Sequence, residues 1–307
     1  MNNPHFYAIG NPGQAWGAAE LAQWRARQLR QRSYAEDVLA EVERLRPRFD
    51  VATYGEVAYG DERFPLMAVR SCKWQSDLPS VLVTGGVHGY ETSGVHGALR
   101  FLDTHAEKYA GRVNLLVAPC VSPWAYERIQ RWNFDAIDPN RSFRADSPAQ
   151  ESAALLRLVA PLHGQFVAHI DLHETTDTDE SEYRPAVAAR DGQPFMPCTI
   201  PDGFYLVDDS QNPQPEFQRA ILLAVERVTH IAPADAQGGI IAYSLALAPE
   251  VSALGDYALI PAAWHSPLQQ RMVLLKSAGP VAEAFYAYMN SDPARAIMER
   301  YGFALPQ

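Results

Sequence analysis

The chain has 307 residues, 47% of them apolar and 20% charged, and a formal net charge of −10. That length and balance suit one large α/β domain or two small ones with a sizeable core. The acidic excess argues against a nucleic-acid partner, which usually calls for a basic patch, and no apolar run approaches the roughly 18 residues of a membrane span.

The first fifty residues read as a helical segment packed on the main domain. Ser33-Tyr-Ala-Glu36 is a capping box, and Val38, Leu39, Val42 and Leu45 form one apolar face behind it. Two strand-like runs, Val51 to Tyr59 and Phe64 to Ser71, flank the turn Gly60-Asp61 and predict an antiparallel hairpin. Val81 to Val83 is continuously apolar, as a strand buried on both faces should be. A helix follows over Thr92 to Tyr109, then a strand over Val113 to Ala118, then an irregular stretch from Pro119 to Asp146. Ser147-Pro-Ala-Gln150 predicts a helix start with proline at its first position, and Gly164 its stop. Phe166 to Leu172 reads as a strand and His173 to Pro201 as a long polar loop. A short strand near Phe204 to Val207, a helix from about Pro215 to His230 and a strand over Gly239 to Leu247 come next. Ser266-Pro-Leu-Gln269 caps the last helical region. Strands alternating with helices predict an α/β sandwich with a largely parallel sheet. No repeat or linker interrupts residues 51–307, which are taken as one catalytic domain.

Met1 to Gln14 lacks a basic-then-apolar leader pattern, so the expected location is cytoplasmic. Cys72, Cys120 and Cys198 lie far apart without C-x-x-C spacing. This favours a reducing compartment and argues against thiolate ligation of a metal.

Ligands of open α/β sheets sit beyond the carboxyl ends of the strands. There the sequence places Thr84-Gly-Gly-Val-His88-Gly-Tyr-Glu91, Asp138-Pro-Asn140-Arg141, Leu172-His173-Glu174-Thr175 and Ala248-Pro-Glu250. His-x-x-Glu on a turn entering a helix can aim an imidazole and a carboxylate at one ion. A third ligand from another strand end leaves a position open for water, as catalytic zinc sites do. Gly85, Gly86 and Gly89 permit tight backbone geometry around the pair.

Together, Gly-Gly-Val-His88-Gly-Tyr-Glu91, Asp138-Pro-Asn140-Arg141-Ser-Phe and Asp171-Leu-His173-Glu-Thr resemble the zinc carboxypeptidase superfamily, including its aspartoacylase and succinylglutamate desuccinylase branch. The resemblance spans roughly Val51 to Tyr286. It implies a three-layer α/β/α sandwich with a mixed, largely parallel central sheet, and one zinc ion held by His88, Glu91 and His173. It implies further that Asp138 orients the first histidine and that Asn140 and Arg141 receive the substrate's free carboxylate, Arg141 with a bidentate fork. An arginine polarising the scissile carbonyl is expected at Arg131, with Arg128 as the alternative. Glu250 is the expected general base, although its Ala-Pro flank departs from the family's usual context. Tyr205 and Tyr243 are candidates for a tyrosine closing over substrate. Asp208, Asp209 and Asp235 are candidate acids of a pocket for a basic terminal side chain.

The resemblance thus implies a metallocarboxypeptidase acting on peptides. The alternative is an amidase removing the acyl group of an N-acyl amino acid, and a third reading is a non-catalytic zinc- or peptide-binding module.

Overall fold

A computed structural model of the chain describes residues 7–197, 200–207 and 212–233, all within Met1–Ala242, the first of two compact units. The expected strand over Gly239 to Leu247 and the helix capped by Ser266 lie outside the described residues, as do Cys198, Asp208, Asp209, Asp235, Tyr243 and Glu250.

The amino-terminal segment is helical, with α1 at Ala18–Ala26 and α2 at Ala40–Arg44, the latter entered through a π turn at Ala35–Leu39. The Glu36 backbone N–H donates to the Ser33 hydroxyl at 3.2 Å, so the predicted cap is present. Val38, Val42 and Leu45 are buried behind it. The predicted hairpin forms from β1 (Phe49–Tyr59) and β2 (Glu62–Ser71), which pair antiparallel with Tyr59 opposite Glu62. Gly60 takes φ +59° in the two-residue turn, a value that costs glycine nothing and suits hairpin twist.

Three further strands complete the described sheet: β3 (Ser80–Gly85), β4 (Asn114–Ala118) and β5 (Phe166–Leu172). Their order is β1-β2-β4-β3-β5. β2 meets β4 antiparallel, while β3 pairs parallel with both β4 and β5. The sheet is therefore mixed, as expected, with its parallel part around β3.

Alternation along the strands sends side chains to two layers. Val69, Val83, Leu115 and Val117 pack on one face with Val95, Ala98, Leu99 and Leu102 of α3 (Thr92–Thr104). Ala68, Leu82 and Leu116 pack on the other with Leu158 and Val159 of α5 (Gln150–Val159). Both faces of the central strands are thereby covered, which explains their unbroken apolar runs.

Five expectations need correction. The stretch from Pro119 to Asp146 contains α4 (Pro123–Arg128), and the polar loop after His173 contains α6 (Arg184–Arg190) behind a π turn at Asp179–Tyr183. The helix expected to open at Pro148 begins at Gln150. Its box does not close, because the Gln150 side chain bonds the N–H and C=O of Ala58 on β1 at 3.0 and 2.9 Å. The helix from Pro215, α7 (Pro215–Val225), stops five residues short of His230, and the strand near Phe204 is a single bridge to Ile231.

Leu102 is 1% exposed between α3 and the sheet. Leu102→Ala is expected to lower unfolding free energy by about 2–5 kcal/mol, measured as a shifted urea midpoint at unchanged slope.

Candidate metal centre

The site is built where β3 runs into α3. After Gly85 the chain turns through Gly86 at φ +59°, where a Cβ would also lie 2.6 Å from Val95. It then passes α4 so closely that a Cβ on Gly89 would stand 2.1 Å from backbone atoms of Ala125 and Tyr126. No side chain fits there, and this is why the turn carries glycine. It brings back His88, 2% exposed, and Glu91, 1% exposed, at the head of α3. His88 Nδ1 lies 2.7 Å from Glu91 Oε1.

The second histidine arrives from β5. His173 Nδ1 lies 2.8 Å from Glu91 Oε2, so one carboxylate bridges two imidazoles. Its outer nitrogen, Nε2, meets Asp171 Oδ2 at 2.7 Å. Asp171 stands opposite Thr84 in the β3–β5 register, and the Thr84 hydroxyl donates to Asp171 Oδ1 at 2.6 Å. That hydroxyl also lies 2.9 Å from His169 Nε2. Its single proton is committed to Asp171, so the His169 ring is the donor to Thr84. His169, Asp171 and His173 alternate along one strand, and the i, i+2 spacing of Asp-x-His is the signal that could have assigned Asp171 from sequence.

Asp138, expected to orient the first histidine, has its Oδ1 2.9 Å from His88 Nε2. Its segment is fixed from two sides. Asn133 Oδ1 accepts from the N–H groups of Asp135 and Ile137, and its Nδ2 donates to Tyr59, whose hydroxyl donates to the buried Glu151 at 2.6 Å. The Ser152 hydroxyl donates to the Pro139 carbonyl at 2.8 Å.

The two candidate arginines separate clearly. Arg128 grips both oxygens of Glu62 at 2.8 and 2.7 Å and lies over Trp124, pointing away to the hairpin. Arg131 stands at the site, with Nε 3.3 Å from Asp138 and Nη1 3.2 Å from Asp179. Tyr90 joins this knot by donating to Asp179 at 2.8 Å. Sequence reading missed Tyr90 and Asp179; neither has a local signature, since they meet across 89 positions. The Asn140 backbone N–H is bound to Asp138. Arg141 is exposed, and its charge helps to hold the Asp138 carboxyl low. Tyr205, one candidate lid, has its hydroxyl on Thr175, two residues beyond His173.

His88, Glu91 and His173 offer ligand atoms within 4.8 Å of one another. Two imidazole nitrogens and a carboxylate oxygen are a donor set that zinc accepts, and three protein ligands leave a position for water or substrate. The outer nitrogens are each held by a carboxylate, which fixes ring orientation and raises basicity. The residues therefore fit a catalytic metal ion. Electrostatics agree. Burial pulls the Glu91 carboxyl up, but the hydrogen bonds of His173 and His88 outweigh it and hold it below the ordinary range. Asp138 is likewise held low by His88 and Arg131 against its burial. Burial lowers His173, yet Asp171 and Glu91 push it up to about 10. Positive charge is therefore stabilised between these carboxylates.

Residues 77–197 match the family model for the succinylglutamate desuccinylase/aspartoacylase catalytic domain. Over that stretch the superfamily resemblance drawn from the motifs is borne out. A second family model, bacterial extracellular solute-binding protein, matches residues 215–304, the stretch that holds Glu250. Among curated proteins, none matches. Among solved structures, a provisionally assigned metallopeptidase from Shewanella amazonensis SB2B is 23% identical with a TM-score of 0.47, over 66% of this chain and 69% of that one. A carboxypeptidase A from Helicoverpa armigera is 17% identical, TM-score 0.40, over 51% of each chain. A succinylglutamate desuccinylase/aspartoacylase from Rhodobacter sphaeroides is 20% identical, TM-score 0.34, over 41% of this chain and 39% of that one. No helix among the described residues is long and apolar enough to cross a membrane.

Asp138→Ala and Asp171→Ala should each weaken divalent-metal affinity by roughly 10–100-fold, the usual cost of losing a ligand's outer partner. Arg128→Ala should leave it unchanged. Competition against a chromogenic chelator reads all three.

Proposed function

We propose that the protein is a zinc-dependent hydrolase that cleaves an amide bond in a substrate bearing a free carboxylate, in the first instance the C-terminal bond of a peptide. The observation that carries this is the His88–Glu91–His173 cluster, with a carboxylate on the outer nitrogen of each histidine. A bound zinc ion would supply Lewis acidity and lower the pKa of a bound water to about 7.

The chain's own residues divide the remaining work. Arg141, exposed, receives the substrate carboxylate together with Asn140. Arg131 is pinned by Asp138 and Asp179 through Nε and Nη1, and its Nη2 makes no hydrogen bond among the described residues. That nitrogen is left to face a carbonyl oxygen that gains charge as it is attacked, and a donor so prepositioned is where such sites gain most. Glu250, assigned from sequence, takes the proton of the attacking water and returns it to the leaving amine.

The amidase reading is favoured by a different observation, the family match over residues 77–197. The same ligands and base would then release an acyl group from an amino acid.

A mass-spectrometric digest separates the readings. Zinc-loaded protein is given peptides with varied C-terminal residues alongside N-acyl amino acids. Loss of single C-terminal residues is expected; deacylation with the peptides intact moves the protein to the amidase reading, and silence on both sinks the enzymatic assignment. A chelator should abolish the activity and added zinc restore it. Glu250→Gln should remove turnover while zinc remains bound. Arg141→Ala should raise KM for the carboxylate substrate roughly 10–100-fold, since a hydrogen bond to a charged group contributes about 1.5–3 kcal/mol.

A further inference from the structure

The segment ahead of β1 lies outside the stretch 77–197 that carries the catalytic-domain match, yet it reaches the back of the metal turn. Arg32 sits between α1 and the π turn. Its Nη2 donates to the Gly89 carbonyl at 2.6 Å, its Nη1 to the Thr92 hydroxyl at 2.7 Å and its Nε to the Tyr126 carbonyl at 2.6 Å. The guanidinium carbon lies 3.6 Å from the centre of the Tyr126 ring. Gly89 directly follows His88 and Thr92 directly follows Glu91. One planar cation therefore holds the turn at the residue after each of its two ligands and ties it to α4.

Arg32 is itself anchored. The backbone N–H groups of Gln31 and Arg32 donate to the Glu127 carbonyl at 2.8 and 3.2 Å. The Tyr34 N–H donates to the buried Glu127 carboxylate at 3.0 Å, and Arg30 lies 2.8 Å from it. Residues 30–34 thus form a strap across the end of α4.

We propose that Arg32 is a positioning residue of the metal centre, and that the amino-terminal segment is a working part of that centre. The inference rests on the metal-site reading above. Three acceptors diverging around one plane need the fixed fork of a guanidinium, which an ammonium does not reproduce. Gly89 has no side chain to pack, so its placement depends on its backbone contacts, and Arg32 supplies the one to its carbonyl. Ligand constellations work only when held within about 0.5 Å of their productive geometry.

The test uses the full chain with Arg32→Ala, Arg32→Lys and, as a control, Arg25→Ala. Arg25 makes a comparable clamp from the same segment, donating to the Phe134 carbonyl at 2.8 Å and lying over the Phe134 ring, but touches neither Gly89 nor Thr92. Zinc affinity is measured by chelator competition, ligand geometry by the visible absorption of the cobalt-loaded protein, and folding by circular dichroism. Arg32→Ala is expected to lose zinc affinity by about tenfold or more, in the range seen for outer contacts of metal ligands. Its cobalt spectrum should change while the fold is retained, and millimolar guanidinium should restore part of the affinity. Arg32→Lys should recover it incompletely and carries the test should the alanine variant not fold. Arg25→Ala should bind zinc like the parent. Wild-type affinity and spectrum in Arg32→Ala would overturn the inference alone, as would an equal loss in Arg25→Ala. A parent protein that binds no zinc would sink the metal-site reading and this inference together.

Discussion

A carboxylate buried at the head of a helix has to be answered by positive charge or by hydrogen bonds, because an isolated buried anion is prohibitively costly. Glu91 is that carboxylate, and the surrounding structure follows from satisfying it. Its two oxygens take His88 from the same turn and His173 from β5. Each imidazole then offers an outer nitrogen, answered by Asp138 and Asp171. Those carboxylates require partners in turn, Arg131 for the first and the Thr84 hydroxyl for the second. The chain of obligations ends in the sheet itself, where Thr84 and Asp171 are register partners. A divalent cation beside Glu91 suits this arrangement because carboxylates outnumber fixed cations around it.

The parts of this network legible in sequence are those with short spacing. His88 and Glu91 are three residues apart on a glycine-bearing turn, Asp138 adjoins Asn140 and Arg141, and His173 ends an apolar strand. The hairpin and β3 to β5 were legible for the same reason: a period of two or a continuous apolar run is written locally. Tyr90 and Asp179 escaped because no spacing links them. Asp171 stood inside a recognised motif two residues before His173, a spacing that the reading of the motif left unused, and the parallel register against Thr84 supplies its second partner. Gln150 illustrates the opposite failure. Its local pattern is a sound capping box, but the exposed backbone of Ala58 competes for the same amide and wins.

The short helices inside expected loops have one cause. α4 is six residues long, too short to declare itself by periodicity, and its residues Pro123, Trp124, Ala125 and Tyr126 are all buried. It is stabilised by what packs against it: the turn at Gly89 and the strap at residues 30–34. An element held by tertiary contacts more than by propensity is invisible to a reading of windows. Its position nonetheless decides where His88 and Glu91 can stand.

Arg131 and Arg141 differ in a way that bears on the catalysis proposed above. Arg131 is held by two carboxylates and a tyrosine, so on the proposed reading its Nη2 would meet developing charge without reorganisation. Arg141 is exposed, so on the proposed reading it would be ordered by the substrate carboxylate. Donors that need no reorganisation lower the barrier, whereas groups ordered on binding contribute selectivity and affinity. Changes at Arg131 should therefore appear chiefly in turnover and changes at Arg141 chiefly in binding. This division follows from the side-chain environments, whichever acyl group the substrate carries.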